Sequence, residues 1–181
     1  MIKEKQLLNQ VEIAITIERL CHQLIEKYND FSNTVIVGVQ PRGALLSRRI
    51  IDQLTNIIQD TNLISGNIDI SFYRDDLRRR EQPILPEAMD MDLIIEGKNV
   101  VLIDDVLYTG RSIRSAIDAL MTFGRPKSVE LLTLINRRFS RHLPIEPNYV
   151  GRTIDVLESE KVIVEWKEIT GNDRVLMIKS S

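Results

Sequence analysis

Short apolar runs alternate along this chain with segments of helical period, and a chain so patterned folds as strands interleaved with helices. Asn9 and Glu12 form a capping-box pattern ahead of Ile13, Ile17, Leu20, Leu24 and Tyr28, which predicts a helix over 10–28. Val35-Ile-Val-Gly-Val39 reads as a buried strand, followed by a second helix marked by Leu46, Ile50, Leu54 and Ile57. Alternating residues over 68–73 predict another strand, and Val100-Val-Leu-Ile103 is the strongest strand in the chain. Ser112 is placed to cap a helix carrying Ile113, Ala116, Ile117 and Leu120, which Gly124 and Pro126 end. Strands are expected again over 129–135, 149–154, 162–166 and 175–178. This order predicts an α/β fold with a mainly parallel sheet covered on both faces, whose ligands lie at the carboxyl ends of the strands.

Composition narrows the class. The length of 181 residues predicts a single domain over 1–181. The one cysteine, Cys21, excludes a disulfide framework and a structural zinc site, and fits a reducing, cytoplasmic setting. Charged residues at 3–5 interrupt the start of the chain, and there is no apolar run of membrane-spanning length, so no membrane partner is expected. With 24 basic and 26 acidic residues there is no global basic field, and only a local patch could serve nucleic acid. Residues 74–92 hold ten charged side chains and two prolines, the composition of a long functional loop.

Two loops fall at strand ends. Gly38-Val-Gln-Pro-Arg-Gly43 has the outer glycine spacing of a P-loop, but Ala44 and Leu45 stand where lysine and a hydroxyl are required, which excludes a P-loop NTPase. The second string, Val100-Val-Leu-Ile-Asp-Asp-Val-Leu-Tyr-Thr-Gly-Arg-Ser112, carries two adjacent carboxylates from a buried strand into a hydroxyl-rich loop at a helix start. Backbone N–H groups there, with Thr109 and Ser112, suit a phosphate. Asp104 and Asp105 are acceptors for vicinal hydroxyls, or neighbours for a magnesium ion.

That string resembles the phosphoribosyl-pyrophosphate (PRPP) motif of type I phosphoribosyltransferases. Ile68-Asp-Ile-Ser-Phe-Tyr-Arg-Asp-Asp-Leu77, Leu143-Pro-Ile145, Tyr149-Val-Gly151 and Ser159-Glu-Lys-Val162 narrow the resemblance to the PyrR family, pyrimidine-operon attenuators that are also uracil phosphoribosyltransferases. The resemblance implies a mainly parallel sheet flanked by helices, with a small hood and a flexible lid loop. It implies catalytic roles for Asp104, Asp105 and Arg42, and a PRPP site made of Pro41, Arg42, Gly43, Asp104, Asp105, Val106, Leu107, Tyr108, Thr109, Gly110, Arg111 and Ser112. Tyr73 and Arg74 would open the lid, and Arg137, Lys161 and Val162 would border the base. The cofactor would be Mg2+, held mainly through PRPP near Asp104 and Asp105. Substrates and products would be PRPP, uracil, UMP and pyrophosphate, and the assembly a homo-oligomer. A cis peptide is expected at Gln40-Pro41, where proline lowers the cost of that isomer.

Arg19, His22, Arg141, His142 and Arg152 are the residues through which the resemblance implies contact with pyrimidine-operon leader RNA. Two positions depart from the RNA-binding members: Glu18 replaces a threonine and Glu146 a basic residue, and carboxylates there repel a phosphate backbone. The base-site string is Asn136-Arg137-Arg138 in place of Asp-Arg-Gly, with one more residue before Leu143. The expected function is a uracil phosphoribosyltransferase of the PyrR type, for which the resemblance also implies UMP-responsive regulation of pyrimidine-operon transcription. The alternatives are an RNA-binding attenuator with vestigial catalysis and a type I phosphoribosyltransferase for another base.

Overall fold

A computed structural model describes residues 3–59, 62–71, 73, 94–157 and 159–179. Five parallel strands form the central sheet in the order β3-β2-β4-β5-β6, with β2 at Thr34–Val39, β3 at Ile64–Ile68, β4 at Asn99–Leu107, β5 at Ser128–Arg138 and β6 at Tyr149–Asp155. Three antiparallel strands make a smaller sheet in the order β1-β8-β7, with β1 at Lys3–Leu8, β7 at Glu160–Glu165 and β8 at Arg174–Lys179. The helices are α1 (Gln10–Tyr28), α2 (Arg42–Ile58), α3 (Arg111–Leu120) and the single turn α4 (Lys167–Thr170).

The sheet is buried from both sides because its strands are apolar at successive positions. Ile36, Val101 and Ile103 pack with Ile17 and Leu20 of α1 and Leu46 and Ile50 of α2, and Val164, Trp166 and Val175 bring the small sheet into the same core. The alternate residues Val35, Val37, Val100 and Leu102 pack under Ile113, Ala116 and Leu120 of α3. Asn9 and Glu12 cap α1 reciprocally, as the spacing required: the Glu12 N–H donates to Asn9 Oδ1 at 2.9 Å, and the Asn9 N–H to Glu12 Oε2 at 2.8 Å.

Three elements differ from expectation. The strand expected at 68–73 lies earlier, at Ile64–Ile68, because pairing with β2 sets its register: Val39 stands opposite Ile68, where the ladder stops. The strand β1 was not signalled, since Lys3 to Leu8 lacks strict alternation and is held by pairing with the distant β8. Ser112 does not cap α3. The helix starts at Arg111, two residues before the start that a Ser112 cap requires, behind Gly110 in the left-handed conformation at φ 89°, with no side-chain cap. Arg74 and the long charged loop fall outside the described residues.

Candidate active site

Register brings the two loops together. Gly38 of β2 stands opposite Ile103 of β4, so residues 39–43 run beside Asp104, the next residue along β4. The bond Gln40-Pro41 is cis, and the Gln40 N–H donates to the Ile68 carbonyl at 3.0 Å. The helix α2 then starts at Arg42 with no side-chain cap, which leaves its first N–H groups at the strand ends. Gly43 lies against β4, where a Cβ would sit 3.2 Å from Asp104 Oδ1.

The two carboxylates differ. Asp104 Oδ1 accepts from the Asp105 N–H at 2.9 Å. Asp105 is 8% exposed, and its Oδ2 is buried with no hydrogen-bond partner. Burial pushes the Asp105 carboxyl up to about 6 against the pull of the Arg42 guanidinium. Burial, followed by the charge of Asp105, pushes Asp104 well above the carboxylate range. A buried acceptor without a donor costs on the order of 1–3 kcal/mol or more when charged. This pair is therefore poised to take hydroxyl donors or a cation from a ligand.

Beyond β4 the chain turns through Tyr108, Thr109 and Gly110 into α3. The N–H groups of His142 and Leu143 both donate to the Thr109 carbonyl, at 3.0 and 3.2 Å, and Arg141 Nη1 donates to the Tyr108 carbonyl. The Arg111 N–H makes a long 3.4 Å contact with Thr109 Oγ1. Leu143 and Ile145 pack against Gly110. Tyr73, the described part of the expected lid, is anchored: its carbonyl accepts from Ser115 Oγ of α3 at 3.0 Å.

Arg137 leaves the end of β5 buried, 4% exposed, with its guanidinium 3.8 Å from the centre of the Tyr108 ring. Its Nη2 donates to the Glu160 carbonyl at 3.1 Å, next to Lys161 and Val162. Arg137 therefore joins Tyr108 of the loop to the start of β7, where Lys161 and Val162 follow Glu160 in sequence. Arg141, read from sequence among the RNA residues, also reaches the end of β5: Nη2 donates to Asn136 Oδ1 at 2.7 Å, and the side chain is 16% exposed. Sequence reasoning missed this bridge, because nothing in residue spacing tells where a guanidinium in a loop turns.

Of the other expected RNA residues, His142 belongs to the same segment as Arg141, while Arg19 and Arg152 stand where α1 meets β6. Arg19 of α1 donates to the Gly151 carbonyl at 2.6 Å, and the neighbouring Arg152 donates to the Leu7 carbonyl at 2.6 Å. His22, Glu18, His142 and Glu146 are exposed. Among the described residues no cluster of three histidine, cysteine or carboxylate side chains could hold a metal by itself. A magnesium ion would fit only as a neighbour of the Asp104–Asp105 pair that takes its remaining oxygens from a ligand.

The profile of the phosphoribosyl transferase domain matches residues 3–168. The bifunctional protein PyrR of Streptococcus pyogenes is 41% identical over 177 residues, which covers 98% of each chain. Its Enterococcus faecalis namesake is 38% identical over 178 residues, again 98% of each. Among solved structures, the hypoxanthine phosphoribosyltransferase of Trypanosoma cruzi has the same fold, with a TM-score of 0.73 at 18% identity over 98% of this chain and 97% of that one.

Proposed function

The chain belongs to the phosphoribosyl transferase domain family and to its PyrR branch, and from that premise we propose that it joins uracil to PRPP, giving UMP and pyrophosphate. One observation carries the site assignment: the buried, unpartnered Asp105 oxygen beside Asp104, at the strand end that α2 also faces. An acceptor pair of this kind suits the vicinal hydroxyls of a ribose. The loop from Val106 to Ser112 would receive the 5-phosphate through its N–H groups and the Thr109 and Ser112 hydroxyls. Pyrophosphate would lie against Pro41, Arg42 and Gly43, where the start of α2 and a guanidinium favour negative charge.

In the reaction the bond from the anomeric carbon to pyrophosphate breaks, and the leaving group keeps the electron pair. Uracil N1 forms the new bond and loses its proton. Positive charge gathers on the sugar in between, and Asp104 and Asp105, held in a poorly solvated pocket, stabilise it electrostatically. Bound magnesium supplies charge neutralisation to the leaving group. Arg137, fixed by the Glu160 and Leu157 carbonyls and by Tyr108, would form one edge of the base pocket together with Lys161 and Val162. Tyr73 and Arg74 would begin the segment that screens the sugar from water.

A pyrophosphate-release assay over uracil, hypoxanthine and orotate, with PRPP and magnesium chloride, tests the reading. Turnover with uracil alone is the expected result, and turnover with either other base in place of uracil would refute it.

The second reading is a UMP-responsive regulator that binds pyrimidine-operon leader RNA. Arg19 and Arg152 favour it, because they stand together where α1 crosses β6. Glu18 and Glu146 oppose it, and salt-dependent binding of a leader hairpin tests it independently of turnover with uracil.

A further inference from the structure

We propose that Arg141 is a positioning residue for the phosphate loop, an inference that rests on the PRPP reading above. In a trans peptide the N–H points opposite to the preceding C=O. Whatever holds the Tyr108 and Thr109 carbonyls on one side therefore turns the Thr109 and Gly110 N–H groups to the other. The segment after β5 holds both carbonyls. His142 and Leu143 take the Thr109 oxygen through their backbone, and Arg141 takes the Tyr108 oxygen through its side chain. Among the described residues the Thr109 and Gly110 N–H groups have no acceptor, as donors reserved for an anion would not.

Arg141 is the part of this brace that sequence can change. Its guanidinium spans two acceptors, the Tyr108 carbonyl and Asn136 Oδ1, and Asn136 directly precedes Arg137 at the base wall. One side chain thus ties the loop that would hold phosphate to the strand end that would hold the base. Little is left for an external partner: the side chain is 16% exposed, its Nε is buried without a hydrogen bond, and Glu146 lies 3.7 Å from that nitrogen. A guanidinium is required, because an ammonium is a compact charge without the planar fork that bridges two fixed acceptors.

The test measures PRPP affinity by calorimetry in magnesium chloride, and the steady-state constants, for the intact wild type, Arg141→Ala, Arg141→Lys and Arg174→Gln. Arg174 forms a partly exposed ion pair with Glu165 on the small sheet, so its variant is the control. Because the phosphate is held alike in ground and transition states, Arg141→Ala should raise Kd and KM for PRPP about tenfold or more. It should leave kcat within about threefold and KM for uracil much less changed. Arg141→Lys should fall between alanine and wild type, and it serves if the alanine variant does not fold. Added guanidinium, but not methylammonium, should restore PRPP affinity to the alanine variant. Unchanged PRPP affinity in folded Arg141 variants, or an equal fall in kcat with no change in KM, overturns the inference while the PRPP reading stands. A wild type that does not bind PRPP removes both.

Discussion

Gly43 presses so closely on the start of Asp104 that a Cβ at position 43 would lie 3.0 Å from the Asp104 Cα and 2.5 Å from the Ile103 carbonyl oxygen. Both neighbours are backbone in the middle of the sheet and cannot yield. A methyl group at 43 therefore pushes the start of α2 away from β4, which widens the distance between the proposed pyrophosphate loop and the carboxylate pair. Gly43→Ala should cost at least about tenfold in kcat/KM for PRPP, roughly 1.4 kcal/mol of barrier, with circular dichroism unchanged. Full activity in that variant would show that the approach is not needed for catalysis.

Asp104→Asn and Asp105→Asn should each reduce turnover about tenfold or more, because an amide replaces only part of a carboxylate's acceptor capacity and none of its charge. Both should remain folded, since neither carboxylate carries a structural ion pair among the described residues. Turnover of the double variant at the wild-type rate would exclude these residues from the reaction.

Ionisation of Asp105 opposes folding while it supports binding. Its folded pKa, about 6, is higher than the roughly 3.9 of an unfolded aspartate, so between these values the folded protein keeps a proton that the unfolded chain releases. Stability therefore falls as pH rises from about 4 through 6, and stays lower above that window. Ligand-free Asp105→Asn should accordingly be more stable than wild type at pH 8, by about 1–3 kcal/mol, and the gap should close below pH 4. Denaturant melts at the two pH values measure it. Activity should move the other way, declining in the wild type as pH drops below about 6 and the acceptor becomes protonated.

The alternation of apolar runs and helical periods placed β2, α1, α2, β4, α3 and β5 because each is long or strongly patterned and needs little tertiary help. The strand β1 escaped because its partner β8 lies more than 160 residues away, and β3 slipped because its register belongs to β2. At the site, Asp104, Asp105 and the 108–112 loop could be read directly, since one continuous segment carries them. The Gly43–Asp104 approach and the Arg141 bridge were hidden, because each joins segments that meet only when the sheet forms.

Glu18 and Glu146 should weaken RNA binding on the second reading. Both are exposed, and a carboxylate that faces a phosphate backbone repels it. Glu18→Thr with Glu146→Arg should strengthen binding to a leader hairpin and steepen its dependence on salt. Nanomolar binding by the unmodified protein in physiological salt would show that the two carboxylates do not face the RNA.

Glu130, at the opposite end of the sheet, should matter for stability and not for catalysis. Its carboxylate accepts from Tyr28 and Tyr149 hydroxyls, both at 2.6 Å, and from Lys27 Nζ at 2.5 Å, so it pins the end of α1 to β5 and β6. Burial pushes the carboxyl up, but the three donors outweigh it and hold it below the usual glutamate value. A depressed folded pKa adds stability that is fully present above the unfolded value and is lost as pH falls through the folded one. Lys27 is half exposed and contributes little, while the two tyrosine hydroxyls lie in the partly buried joint. Glu130→Gln should therefore cost about 2 kcal/mol at pH 7, a fall of roughly 4–8 °C in Tm. The difference from wild type should shrink in acid, where Glu130 itself is protonated, and kcat and both KM values should stay at wild-type levels at 25 °C. A variant with unchanged Tm, or one with altered KM for PRPP, would contradict this division between the two ends of the sheet.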